Sequence, residues 1–133
     1  MITYRDSHDV DLDQLAHLFD VAGWAHLGQD RAQLSRLVAN SMYVVSAWDG
    51  ERLVGFARAI SDGVRNAYVS TVAVLPEWRG RHIGRECMRR LVEGEGKEGV
   101  RWVLHAREEL HGFYRENGFE PAENMLRRDR RTK

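Results

Sequence analysis

The chain has 133 residues, of which 43% are hydrophobic and 30% charged, the balance of one ordinary globular domain over residues 1–133. Its 20 Lys and Arg match 20 Asp and Glu, and zero net charge removes the global electrostatic case for nucleic acid or an anionic membrane as partner. A single cysteine, Cys87, excludes an intrachain disulfide and a C-x-x-C site, and no apolar run approaches the roughly 18 residues of a membrane span.

Met1-Ile2-Thr3-Tyr4-Arg5 opens as a short strand rather than a signal peptide, so the expected compartment is the cytoplasm. Asp11 is placed to cap a helix, with Gln14 in capping-box position, and Leu12, Leu15, Leu18, Phe19 and Ala22 follow at helical spacing up to Gly23. Asp30 and Gln33 repeat the pattern ahead of Leu34, Leu37 and Val38. The period then changes to two. Residues 43–48 and 53–60 read as strands joined at Asp49-Gly50, a pair suited to a turn with φ > 0 at both central positions. Asp62-Gly63 marks the next turn, and residues 67–75 form a third strand stopped by Pro76. Ile83, Cys87, Met88, Leu91 and Val92 then make the apolar face of a helix, with Arg85, Glu86, Arg89, Arg90 and Glu93 on its wet face. After glycines 94, 96 and 99 come a strand over 100–106, a short helix over 110–117 and a last strand near 124–128. Five of the final seven residues are Lys or Arg, which suits a solvated terminus. Three strands in a meander followed by a βαβ unit predict the α/β class with a mixed sheet.

The segment between the third strand and the long helix carries the most chemistry. A helix N-terminus leaves backbone N–H groups unpaired and bears partial positive charge, which phosphate oxygens satisfy. Gly80 and Gly84 let the backbone approach a ligand, and Arg79, Arg81 and Arg85 can add charge-assisted bonds. The loop Arg79–Gly84 itself has neither the G-x-G-x-x-G nor the Walker A pattern.

The run Val72-Ala73-Val74-Leu75-Pro76-Glu77-Trp78-Arg79-Gly80-Arg81-His82-Ile83-Gly84 resembles motif A of the GCN5-related N-acetyltransferases, the GNAT superfamily. His82 stands where that family normally has glycine. Phe113-Tyr114-Arg115-Glu116-Asn117-Gly118-Phe119 is similar to the family's late F-Y-x-x-x-G-F signature. The resemblance covers nearly the whole chain. It implies the acyl-CoA N-acyltransferase fold, a mixed and mostly antiparallel sheet flanked by about four helices. It also implies acetyl-CoA as co-substrate, a primary amine of a small molecule or protein as acceptor, direct attack in a ternary complex, and a homodimer. Carried over, Arg79, Gly80, Arg81, His82, Ile83, Gly84 and Arg85 hold the diphosphate. Val72, Ala73 and Val74 pair with the pantetheine arm and polarise the thioester carbonyl. Tyr114 protonates the departing sulfur, although its spacing beside Phe113 and Phe119 equally suits a half-buried core position.

The general base is open. Close relatives often carry Asp at the position of Thr71, and the third strand here has no acid between Tyr68 and Val74. Glu108, Glu109, His105 and His111 acting through water are the alternatives, or an amine that arrives neutral. Trp24, His26, Tyr43 and Arg58 are candidates to line the acceptor site, with Trp24 fitting the core as well. Cys87 falls on the apolar face of its helix and reads as packing. The six histidines have no metal-ligand spacing, so no metal is expected. A non-catalytic CoA-binding or protein-interaction module of the same fold is the competing reading. It is motivated by His82 and by the missing strand carboxylate.

Overall fold

The period-two runs form one sheet. In the computed structural model, which describes residues 1–131, β1 (Ile2–Arg5), β2 (Tyr43–Asp49), β3 (Arg52–Ser61), β4 (Asn66–Val74) and β5 (Arg101–Leu104) stand side by side in chain order. The first three junctions are antiparallel and the β4–β5 junction is parallel, so the sheet is mixed as expected. Thr132 and Lys133, the end of the basic tail, lie outside the described residues.

Alternation along β3 assigns the two faces. Phe56 meets Phe19 of α1 (Leu12–Val21) edge-on, with centroids 5.7 Å apart. Gly55, one residue earlier, points at Ile83 of α4 (Ile83–Val92). Helices α1, α2 (Ala25–Gly28) and α3 (Arg31–Ala39) therefore cover one face and α4 the other. Leu15, Leu18, Phe19 and Leu34 are fully buried from the first side, and Cys87, Met88 and Leu91 from the second. Burial pushes the Cys87 thiol up to about 12, so it packs as a neutral side chain.

Asp11 and Asp30 cap α1 and α3, each accepting from two backbone N–H groups. Gln14 does not close the expected capping box. Its Nε2 donates to the Glu51 carbonyl at 3.0 Å and its Oε1 accepts from the Leu53 N–H at 2.8 Å, which pins α1 to the β2–β3 turn. That turn also differs by one residue from expectation. Asp49 still pairs with Arg52, so the two-residue loop is Gly50-Glu51, and only Gly50 takes positive φ, at 61°. A loop that needs φ > 0 at its first position alone is served by one glycine.

Helix α2 was not foreseen, because a single turn is too short to show periodicity. β5 and α5 (His111–Arg115) are shorter than the sequence predicts, and a 3-10 turn over Glu108–Leu110 leads into α5. The strand expected near 124–128 does not form. Met125 is 50% and Leu126 100% exposed, so this segment has no ladder and no apolar anchor to hold it against β5. Among the described residues, no helix is long and apolar enough to cross a membrane.

Candidate functional site

Helix α4 begins differently from α1 and α3. Its N-cap, His82, makes no side-chain cap bond and sits at φ 63°, ψ 17°, in the left-handed region. It is the one non-glycine residue with positive φ among the described residues. Gly80, two residues earlier, has φ 79°. The first helical bond is from the Glu86 N–H to the His82 carbonyl. Within the described residues, the backbone N–H groups from Gly80 to Arg85 have no acceptor. The result is a cluster of unpaired donors at the positive end of a ten-residue helix. Histidine tolerates this backbone better than branched residues do, so the departure from glycine preserves the loop. His82→Gly is expected to hold or raise stability, and His82→Val to cost about 1–2 kcal/mol. Chemical denaturation of the three proteins tests this; equal stability of the Val variant would refute it.

The arginines spread outward from the loop. Arg79 Nε donates to the Val74 carbonyl at 3.1 Å, so the guanidinium is tied to the end of β4. Arg81 stacks on Trp78 at 4.5 Å. Arg85 pairs with Glu116, just past α5, at 3.6 Å. Gly84 has a packing role: a Cβ there would stand 3.2 Å from the Phe113 ring and 3.5 Å from Val74 Cγ2. Ile83 is buried between the helix and the sheet.

Beside the loop, β4 separates from β5. Their pairing ends at Val69 with Leu104, while β4 continues along β3 to Val74. Val72, Ala73 and Val74 thus lie on a stretch of β4 that β5 does not cover. The split coincides with a bulge: Arg58 is opposite Thr71 and Ala59 opposite Val69, leaving Ser70 as the extra residue of β4.

Tyr114 lies on α5, held edge-on by Phe113 at 4.9 Å and Phe119 at 6.1 Å. Burial holds its phenol above the ordinary value of 10.0, so it is protonated at neutral pH. It lines a cavity of about 640 Å³ whose wall also includes Tyr68, Trp102, His105 and His111. Glu108 and Glu109 are exposed and do not line it.

The acceptor-site candidates are not brought together. Trp24 packs edge-on against Phe19 at 6.2 Å, on the α1 face. Arg58 shares that face, bonded to Ser41 just past α3. His26 is exposed on α2. Tyr43 is on the opposite face, beneath Lys97 at 4.5 Å and against Trp102 at 5.5 Å. The reason is register: Tyr43 faces Ala59, one residue past Arg58, so the pleat turns their side chains apart. Ser41 and Ser70, the unforeseen partners of Arg58, carry no sequence signal, because a bulge and a helix end put them there.

Residues 22–121 match the family model described as an acetyltransferase (GNAT) domain. The chain is 34% identical over 128 residues to serotonin N-acetyltransferase 2, chloroplastic, of Oryza sativa subsp. japonica. That match covers 92% of this chain and 63% of the rice protein, so the chain spans less than two thirds of that relative. A putative acetyltransferase of the GNAT family from Xanthomonas campestris pv. campestris superposes with a TM-score of 0.83 at 27% identity, covering 97% of this chain and 93% of that one. The PaiA N-acetyltransferase of Thermoplasma acidophilum, solved in complex with coenzyme A, shares the fold at a TM-score of 0.74 and 17% identity, covering 94% and 93%.

Proposed function

The chain belongs to the acetyltransferase (GNAT) family, and from that membership we propose that it acetylates a primary amine by direct attack in a ternary complex with acetyl-CoA. Acetyl transfer is the chemistry of the family, and acetyl-CoA is its donor. The observation that carries the reading is the row of unpaired N–H groups from Gly80 to Arg85, beside a strand that β5 leaves uncovered after Val69. Those donors, with Arg79, Arg81 and Arg85 around them, fit a diphosphate. The free edge of Val72, Ala73 and Val74 fits an extended amide-bearing arm, by strand-like pairing.

Acetyl-CoA supplies the acyl group as an activated thioester. The chain's own residues supply the rest. A backbone N–H on the uncovered part of β4 polarises the acyl carbonyl. Tyr114 gives its phenolic proton to the sulfur, a transfer from a group near ~10 to one near ~8.5, close to balanced before burial is counted. His105 and His111 stand beside it in the cavity wall. Thr71 is engaged by Arg58, which supports a route for the amine proton other than a strand carboxylate.

Equilibrium binding of acetyl-CoA, followed by thiol release with a panel of amines, tests the proposal. Binding is expected in roughly the micromolar to millimolar range usual for enzyme substrates. Thiol release should depend on the amine. Absence of binding at millimolar coenzyme, or binding with no amine-dependent thiol release, would overturn it.

A further inference from the structure

Arg58 is 8% exposed, in the middle of β3. Its guanidinium has three partners and all are hydroxyls. Nε donates to Thr71 Oγ1 at 3.1 Å, Nη1 to Ser41 Oγ at 3.2 Å and Nη2 to Ser70 Oγ at 3.1 Å. No ion pair among the described residues includes Arg58. Hydroxyls satisfy hydrogen bonds but supply no negative charge. A buried cation without a counter-charge is costly, and buried charges in folded proteins are generally paired. A neutral side chain would serve those three hydroxyls without this penalty. The three bonds also leave one N–H on each terminal nitrogen, the number a carboxylate takes in a bidentate pair.

We propose that Arg58 is the anchor for a carboxylate on the acetyl acceptor, so that the substrates of this enzyme are small amines that carry an acid, amino acids foremost. This rests on the acetyl-transfer reading above. Position supports it. Arg58 is opposite Thr71, two residues beyond the last β4–β5 pair, so the cation stands beside the point where the sheet splits. Neighbouring strands are roughly 5 Å apart, a span one amino acid bridges. The cation sits on the face opposite α4, where the Gly80–Arg85 donors lie, so an acceptor held there does not compete with the diphosphate. Tyr68 lines the same cavity as Tyr114 and pairs with Ile60, two residues along β3 from Arg58, which links anchor and cavity.

The test compares amino acids with their carboxamides and with the corresponding decarboxylated amines, all as acceptors for the intact chain with acetyl-CoA. The expected result is a kcat/KM higher by roughly ten- to hundredfold for the acids, the size of charge-assisted bonds, and carried mainly in KM. Arg58→Met is expected to reduce that preference to within about threefold with acetyl-CoA affinity unchanged, and Arg58→Lys to keep part of it. The wild-type comparison stands even if the Met variant fails to fold. Amides and decarboxylated amines acetylated as efficiently as the acids would overturn the anchor and leave acetyl transfer standing. No acetylation of any acceptor would overturn both.

Discussion

Replacing Tyr114 by phenylalanine is expected to lower kcat by roughly 10²–10⁴-fold, the usual contribution of a positioned general acid, while acetyl-CoA affinity stays within about twofold. The separation follows from what the hydroxyl does and does not touch. The ring is held by Phe113 and Phe119, contacts that phenylalanine keeps, and the Gly80–Arg85 donors lie elsewhere. Stopped-flow thiol release and equilibrium binding on the same preparations read the two effects apart. A variant that retains most of its turnover would mean that water protonates the sulfur and Tyr114 is packing.

The alkaline limb gives an independent check on the same residue. Burial raises the folded-state pKa of Tyr114 above 10.0. Below that ordinary value the phenol is neutral in both folded and unfolded chains and contributes no pH dependence. As pH rises through 10 the unfolded chain ionises first, so this group lowers stability with rising pH until the folded phenol also ionises. Tyr114→Phe should therefore flatten the fall in stability above pH ~10. An unchanged slope would show that Tyr114 is more solvated than its packing implies.

The second large effect is expected at Gly84. A side chain there meets the Phe113 ring at 3.2 Å from its first carbon, and valine adds two methyl groups beyond that. Overpacking of this kind costs about 1–3 kcal/mol. The functional loss is larger, because Phe113 adjoins Tyr114 on α5 and the Gly84 N–H belongs to the row of unpaired donors proposed to hold the diphosphate. A shift near ~1 Å in a positioning element is enough for about a hundredfold in rate. Gly84→Val is therefore expected to lose about that factor in kcat and to bind acetyl-CoA more weakly. Adding Phe113→Leu should restore part of the kcat, since a smaller partner relieves the clash. A double variant no better than Gly84→Val would show that the loop, and not the α4–α5 contact, is what Gly84 protects.

Much of the site was legible in local sequence because its chemistry is local. Pro76, two glycines and three arginines ahead of an amphipathic run specify a strand end, an open helix N-terminus and its charge, whatever surrounds them. His82 in the left-handed region continues the same logic, as one residue's backbone preference decides it. The βαβ order likewise followed from pattern and connection length. The Asp11 and Asp30 caps needed only their own neighbours, whereas Gln14 was drawn away by the β2–β3 turn, a partner 37 residues distant.

By itself, then, the sequence determined most of the longer elements and the open start of α4, because each depends on contacts within a few residues. The tertiary structure alone decided which candidates share a site. Pleat and register put Tyr43 and Arg58 on opposite faces, and a bulge at Ser70 turned two hydroxyls toward one arginine. It also decided that β5 stops opposite Val69 and that the segment near 124–128 stays off the sheet. Strand length and pairing are settled between segments far apart in the chain, and no single stretch of sequence encodes where two strands part.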